Sequence, residues 1–317
     1  MGMRLTRSRF PPSYADMTSK ARTSLVVFFI LAFPFAVFFA FLLSDLAGPL
    51  PPIRPLPNPN GYDIFLHAAQ LLTVSSIDYT ATNQEQLREA VGKNAPALAL
   101  ARAGLSNECQ VPIQFSQASM ENHLQNLAAL KRLAQSFMVE GQLAKIENHP
   151  GDAAKSYLDT VHLGIESARG GCMIDELVGV AIEQYGMDGL RKIAGRLEAT
   201  SCREIAAALE TLDAQSQTWD EVLQQEHDWS RRTFPGLQNE LARMMERRNL
   251  KQAFQKAGQK FKLHQTRMRQ LMIDLAARAY ELDKGKAPAN VSDLAPEYLK
   301  AIPQDPVIGT NMVYSPR

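Results

Sequence analysis

Apolar and polar positions repeat at the helical period from about residue 61 to about residue 284. Apolar residues recur there every three or four positions, and no stretch shows the strict alternation of a half-buried strand until the last few residues of the chain. The pattern therefore predicts an all-α body.

Capping and turn signals divide the first half of this body into helices. Asn83 and Gln86 form a capping pair before one apolar run. A helix is predicted from about Ser119 to Asn148, and a His-Pro-Gly turn separates it from a helix that starts at Asp152. The apolar stripes predicted for these helices and for the next one include Leu124, Ile174 and Leu177.

The second half of the body contains a further capping signal. Ser201 and Glu204 have the spacing of a capping box, which predicts one long helix that continues past Trp219. Pro235 and the glycine after it interrupt the pattern, and two more helical stretches are expected before about Lys284.

One segment is apolar on all sides. It begins at Leu25, ends at Leu43, and its 19 residues include no charged side chain. About 20 such residues are needed to span a bilayer, so residues 24–43 are predicted to form a transmembrane helix. A cleaved signal peptide is the alternative, but the run is longer than a usual signal core and no A-x-A site follows it.

The charges on either side of this segment predict its orientation. Five bases precede it against one acid, and one base follows it before residue 66. Basic flanks stay in the cytoplasm, so we expect a cytoplasmic N-terminus and a periplasmic bulk of the chain, in a bacterial inner membrane. The bases that precede the segment are Arg4, Arg7, Arg9, Lys20 and Arg22.

Prolines set the next boundary. Six of them lie between Pro49 and Pro59, and such a sequence favours an extended polyproline II spacer. The predicted organisation is a basic cytoplasmic tail (1–23), a transmembrane helix (24–43), a proline-rich linker (44–60), a helical ectodomain (61–270) and a distinct C-terminal tail (271–317).

The architecture of the ectodomain has two interpretations. Gly141, Ala144 and Ala153 flank a short interhelical turn and Tyr157 follows one turn later, an arrangement that resembles a tetratricopeptide (TPR) helix hairpin. Only one such unit is visible, and solenoids need about three repeats. An antiparallel helical bundle with an ordinary helix hairpin is the alternative.

Residues 62–229 resemble a group of uncharacterised bacterial membrane-anchored helical proteins. The resemblance implies an architecture and brings no activity with it. It is carried by Asn94-Ala95-Pro96, Leu100-Ala101-Arg102, Leu130-Lys131-Arg132-Leu133-Ala134, Glu140-Gly141, Gly170-Gly171, Ile174-Asp175 and Leu177-Val178-Gly179-Val180-Ala181.

Residues 271–314 resemble the C-terminal region of the major pseudopilin of type II secretion systems. The resemblance implies that a helix ends near Gly285, that a proline-pinned loop folds back onto an apolar surface, and that a short extended piece closes the chain. The pseudopilin processing site is not present before residue 25, and no metal is carried over. The matching residues are Ala276, Ala277, Tyr280, Gly285, Pro288, Leu294, Tyr298, Leu299, Pro303, Asp305, Pro306, Gly309 and Tyr314.

Composition and the absence of known motifs exclude several classes of protein. The chain has 45% hydrophobic and 21% charged residues, which is unlike a disordered chain, and three cysteines, which is unlike a disulfide-rich miniprotein. It contains no GxSxG, P-loop, GxGxxG or HExxH sequence, so we predict no catalytic residue, no cofactor and no metal. Glu226, His227 and Asp228 are adjacent on a helix, diverge by about 100° each, and are interpreted as a solvated face.

The net charge of +1 conceals a basic segment. Between Ser230 and Arg269 there are eleven bases and two acids. Arg247, Arg248 and Lys251 fall within about one helical turn, which favours an anionic partner such as lipid headgroups, a cell-wall polymer or an acidic protein. Pairing with acids of the same domain, for example Asp213, Asp220 and Glu221, is the alternative. Nucleic acid is not expected beyond the membrane.

Helix direction selects one cysteine pair. An up-and-down hairpin brings Cys109 and Cys172 to one end of the body, and a further helix of about 34 Å places Cys202 at the other end. Disulfide formation requires Cα atoms within about 7 Å and an oxidising compartment. Any intramolecular disulfide is therefore predicted to join Cys109 and Cys172.

The sequence as a whole favours a membrane-anchored periplasmic scaffold or protein-interaction module of the bacterial envelope. Two alternatives remain at this stage. One is an accessory component of a type II secretion or pilus-like system, which the C-terminal tail suggests. The other is an envelope hydrolase whose site has no recognised motif.

Overall fold

The computed structural model describes residues 33–35, 37, 38, 50–74, 78 and 80–314, with only the backbone described for residues 237–250. The cytoplasmic tail predicted over residues 1–23 lies outside the described residues. So does the predicted transmembrane segment, apart from residues 33–35, 37 and 38, which are helical. Among the described residues, no helix combines the length and the apolar character needed to cross a membrane.

Contacts between residues divide the chain into two units. One consists of Met1–Pro51 with Gly236–Leu241, and the other consists of Pro52–Pro235 with Ala242–Arg317. The second unit contains the helical body and the candidate site.

The body is all-α, as the periodicity predicts. Within the described part of the chain, β pairing is limited to one isolated antiparallel bridge between Gln304 and Asn311. Short 3-10 helices occupy Gln117–Ser119, Ala194–Arg196 and Val291–Leu294. The α-helices are α1 (Gly61–Gln70), α2 (Gln84–Leu105), α3 (Met120–Ile146), α4 (Pro150–Ala168), α5 (Met173–Ile193), α6 (Ala199–Gln215), α7 (Trp219–Thr233) and α8 (Leu237–Lys284).

Local capping explains several helix boundaries. The side chain of Asn83 accepts a hydrogen bond from the backbone N–H of Gln86, so the predicted cap of α2 is present. The turn between α3 and α4 contains Asn148 at φ 62°, and Pro150 then occupies the first turn of α4, where its missing N–H costs nothing.

Two predicted boundaries are wrong. Ser201 and Glu204 do not start a helix, because α6 begins at Ala199 and ends at Gln215. The capping box that forms instead joins Thr218 and Glu221 at the start of α7.

The two helical stretches predicted after Pro235 are one helix of 48 residues, α8. Nothing in its sequence stops it, since it contains no proline. Its Gly258 lies inside the helix and faces Trp219, whose indole occupies the space that a side chain would take.

Helix α4 lies at the centre of the body. It contacts α1, α2, α3, α5 and α6, and most of its residues are buried. One apolar cluster joins α1 to α5, and a second joins α3 to α6 with the C-terminal part of α8 and the tail. Arg102 of α2 forms ion pairs with Glu140 of α3 and Asp159 of α4, which join three helices at one point.

Glycines allow α4 and α5 to approach closely. A β-carbon added at Gly164 would lie 2.8 Å from the carbonyl oxygen of Gly179, and one added at Gly179 would lie 2.7 Å from that of Gly164. Real β-carbons do not come so near to backbone oxygen, so this crossing requires glycine on both helices.

The same close packing surrounds Tyr157 of α4. Its ring lies against Gly141 of α3 on one side and Gly189 of α5 on the other, at distances that leave no room for a β-carbon on either glycine. Gly141, one of the small residues noted in the sequence, thus has a packing role at this point.

The C-terminal residues fold back onto the body. Helix α8 ends at Lys284, and Gly285 follows at φ 69°, a conformation that favours glycine. Leu294, Tyr298 and Leu299 are buried in the cluster formed by α3 to α6 and α8. The backbone N–H of Met312 donates to the carbonyl of Pro303 (2.9 Å), which closes the final loop.

We predict that Gly186→Ala destabilises the protein by about 1–3 kcal/mol, because overpacking at a rigid contact cannot relax. Its new methyl group would overlap the carbonyl oxygen of Tyr157 and lie 2.9 Å from the backbone nitrogen of Val161. The matched control is Gly92→Ala in α2, where no atom lies within 4 Å of the added carbon. That change should stabilise by about 0.5–1 kcal/mol through helix propensity. Equal effects of the two substitutions on denaturant unfolding would contradict the close crossing.

Candidate functional site

A cavity of about 270 Å³ opens at one end of the body, where four segments meet. These are the loop around Ile113, the start of α3, the start of α5 and the end of α7. The lining residues are Pro112, Ile113, Gln114, Ser119, Met120, Asn122, His123, Asn126, Cys172, Met173, Ile174, Asp175, Leu177, Glu226 and Trp229.

Asp175 fixes one wall of the cavity. Its carboxylate accepts hydrogen bonds from the backbone N–H of Cys172 (2.8 Å), just before α5, and from Nε2 of His123 on α3 (2.8 Å). The hydrogen bond from His123 to Asp175 raises the pKa of that imidazole above its ordinary value, because it stabilises the protonated ring. Helices α3 and α5 are thereby joined by a charge-assisted contact at the cavity wall.

Two hydrogen bonds attach α7 to other segments that line the cavity. A carboxylate oxygen of Glu226 accepts from the backbone N–H of Met173 (2.9 Å), an otherwise unpaired donor at the N-terminus of α5. The indole N–H of Trp229 donates to the carbonyl of Gln114 (3.2 Å). The cavity therefore has walls tied by specific hydrogen bonds rather than a surface of loose loops.

The cavity rim is apolar and exposed to solvent. Ile174 and Leu177, which line the cavity, are each 37% exposed. Both belong to the apolar stripe predicted for α5, which is therefore not fully buried at its first turn. Leu124, in the stripe predicted for α3, is 48% exposed and does not line the cavity. Apolar walls with a few convergent polar groups are typical of ligand sites.

Cys172 has the wrong chemistry for a nucleophile. Burial and the nearby carboxylates of Glu226 and Asp175 raise the pKa of its thiol well above the ordinary value. Thiolate chemistry needs a lowered pKa, so the nearness of cysteine, histidine and aspartate in the cavity does not constitute a catalytic triad. The arrangement is equipped to bind.

Glu176 lies next to Asp175 and is buried. Burial, and then the charge of Glu183, raise its pKa to about 8, although the side chain of Gln217 donates a hydrogen bond to it (2.6 Å). Gln217 also bonds the carbonyl of Ala168 and the N–H of Gly170, so it joins the α6–α7 connection to the α4–α5 turn. Another buried pair on the same helix joins Glu183 to Nε2 of His264 of α8 (2.8 Å).

Sequence reasoning missed part of this arrangement. The triplet at Glu226 is not a uniformly solvated face, since Glu226 lines the cavity and Asp228 is buried, where it accepts a hydrogen bond from Gln224 (3.0 Å). Only His227 is exposed as expected. Val222 and Trp229 are seven positions apart on α7 and therefore share one face, and this spacing was the available signal that the helix packs against the body.

The basic residues predicted for an anionic partner lie on α8. Arg247 and Arg248 fall where only the backbone is described, and the side chain of Lys251 is exposed. Farther along the same helix, Arg269 pairs with Asp213 of α6 (2.9 Å). At least one base of the segment therefore pairs within the chain, and contact of the three named bases with an anion stays a prediction.

Cys109, Cys172 and Cys202 are free and buried in this structure. The backbone N–H of Val111 donates to the carbonyl of Arg169 (2.9 Å), so the loop after Cys109 does lie beside the turn before Cys172. Ser201, next to Cys202, lies near Gly151 at the other end of α4. The bond between Cys109 and Cys172 is not formed here and stays a prediction for the oxidised chain.

Comparisons of the chain with protein families, with curated protein sequences and with solved structures gave no significant match. Among the described residues, no group of three or more histidine, cysteine, aspartate or glutamate side chains is arranged to hold a metal ion. The function must therefore be argued from the cavity itself.

We predict that Glu176→Gln stabilises the protein increasingly as the pH rises from about 5 to about 8. The pKa of Glu176 in the folded protein, about 8, exceeds the ordinary value of 4.5. Below pH 4.5 the carboxyl is neutral in both states and does not oppose folding, and the folded protein loses stability as the pH rises from there through 8. Each unit of difference is worth about 1.4 kcal/mol, and glutamine keeps an oxygen that accepts from Gln217.

Urea unfolding of the parent protein and of Glu176→Gln between pH 5 and 9 measures the difference in their free energies of unfolding. The exposed Glu204 provides a control, because Glu204→Gln should leave the pH dependence unchanged. A difference that stays constant over this pH range would show that Glu176 is not buried as described.

Proposed function

We propose that this protein is a single-pass, membrane-anchored helical interaction module of the bacterial envelope. The observation that supports this most directly is the cavity between α3, α5 and α7, whose rim exposes Ile174 and Leu177 while hydrogen bonds fix its walls. These two side chains give a partner an apolar surface to cover at the mouth of a cavity. We place the cavity in the periplasm, on the distal side of the proposed anchor.

In this proposal, the anchor attaches the module to the membrane and the linker separates the two. Residues 25–43 would span the bilayer, and the prolines up to Pro59 would hold the body away from it. The described linker residues support a spacer, since residues 51–56 are exposed and adopt neither helix nor strand.

The TPR-like hairpin and the pseudopilin-like tail support the proposed architecture of the module and do not add an activity. Gly141 and Tyr157 support a TPR-like contact between α3 and α4, within a body that we regard as a single bundle. The pseudopilin-like tail contributes Leu294, Tyr298 and Leu299 to the core, and this favours a structural use of the tail over a role in filament assembly.

We expect a reporter enzyme that is active only outside the cytoplasm to be active when fused after Arg317. The excess of bases before residue 25 is the physical reason, because it retains the N-terminus in the cytoplasm. Reversing Arg4, Arg7, Arg9, Lys20 and Arg22 to glutamate should reduce this activity. Strong activity of a reporter that works only in the cytoplasm would contradict the proposed topology.

We expect a photo-crosslinking amino acid at Leu177 to capture a discrete partner band in intact cells. Leu282 of α8 is the matched control, because it is a leucine of similar exposure (42% against 37%) outside the cavity. The band should appear for position 177 and be absent for position 282. Identical patterns at both positions would argue against the cavity as the interaction site.

A further inference from the structure

The cavity has polar groups that the fold does not use. Within the described part of the chain, the side-chain amides of Asn122 and Asn126 form no hydrogen bond, although both residues line the cavity. An asparagine side chain offers one acceptor and two donors. These amides are therefore free to bond a ligand, and their neighbour His123 is held in place by Asp175.

The spacing of the two amides matches one class of ligand. Residues four apart share a face of a helix, and their separation along the axis of α3 is about 6 Å. An extended peptide advances about 3.3 Å per residue, so every second residue repeats after nearly the same distance. Each asparagine can thus meet the N–H and C=O of alternate residues of an extended chain.

The charges at the cavity restrict the ligand further. The lining residues include two carboxylates, Asp175 and Glu226, and no lysine or arginine. His123 is the one lining group that can carry a positive charge, and it is bonded to Asp175. Glu226 of α7 has a second carboxylate oxygen available for a cation, since its Oε2 accepts the hydrogen bond from Met173.

We propose that the cavity binds an extended peptide segment of a partner protein. In this arrangement, an aliphatic side chain packs against Ile174 and Leu177, and the side-chain amides of Asn122 and Asn126 bond the peptide backbone. A lysine or arginine close to that aliphatic residue faces Glu226. The inference rests on the proposed interaction module and specifies the chemistry of its partner.

The test uses the full-length chain, purified in detergent micelles, and a phage-displayed library of random twelve-residue peptides. Enriched peptides are synthesised with a fluorophore, and their affinity is measured by fluorescence anisotropy against the chain and against empty micelles. We expect enriched sequences to place an aliphatic residue within two positions of a lysine or arginine.

The double variant Asn122→Ala/Asn126→Ala should weaken binding about tenfold or more, because two backbone hydrogen bonds are lost. Its matched control is Gln255→Ala/Gln259→Ala, which removes two exposed amides with the same spacing from α8. The control should bind like the parent, and both variants should unfold at the parent's midpoint because the four side chains are on the surface or partly exposed.

Glu226→Gln separates the contribution of the carboxylate charge to binding from that of the hydrogen bonds to the peptide backbone. Glutamine keeps an oxygen for the N–H of Met173, so the wall is retained while the charge is lost. Binding of the basic peptides should weaken several-fold at low salt and less at high salt. Unchanged binding at low salt would overturn the cationic part of the inference.

Two outcomes would overturn the peptide inference as a whole. One is the absence of enrichment over empty micelles, and the other is enriched peptides that bind the Asn122→Ala/Asn126→Ala chain as tightly as the parent. If crosslinking from Leu177 still captures a partner band in cells, the interaction module stands and the partner's recognised surface is not an extended peptide. If crosslinking also fails, the interaction module fails with it.

Discussion

Helices α4 and α5 approach so closely that the backbone of each contacts the backbone of the other. The crossing at Gly164 and Gly179 leaves no room for a side chain on either helix. Because α4 also contacts α1, α2, α3 and α6, this crossing sets where α5 lies relative to nearly every other part of the body. The turn between the two helices is short, so the close crossing also fixes the position of the first residues of α5, which line the cavity. Packing at the centre of the body thus determines the geometry of a site at its end.

The second consequence of the crossing is that α5 buries carboxylates. Asp175, Glu176 and Glu183 are each less than 10% exposed, and an unpaired buried charge would oppose folding strongly. Each has a partner from a different part of the chain, and Glu176 additionally has its pKa raised towards neutrality. The contacts join α5 to α3, to the α6–α7 connection and to α8. The respective partners are His123, Gln217 and His264.

Local chemistry explains which features could be predicted from the sequence. The cap at Asn83, the turn before Pro150 and the helix end at Lys284 depend on neighbouring residues, and all three are present. A capping box is a weaker signal, because Ser201/Glu204 and Thr218/Glu221 share the same spacing and only the second pair caps a helix. The candidate site depends on tertiary contacts that no local pattern contains, since His123 and Asp175 are 52 residues apart. The exposure of Ile174 and Leu177 could not be read from periodicity either, because periodicity identifies an apolar face without identifying what covers it.

The size of the cavity bears on the kind of ligand that it suits. Sites for whole small molecules usually measure about 300–1,000 Å³, and this cavity of about 270 Å³ is close to the lower limit of that range. Burying one aliphatic side chain contributes about 1.5–3 kcal/mol, whereas association costs about 4–15 kcal/mol in lost freedom of motion. An occupant confined to the cavity would therefore bind weakly. A longer segment that places one side chain in the cavity and extends along α3 gains the hydrogen bonds of Asn122 and Asn126 as well, and that difference favours a peptide over an isolated small molecule.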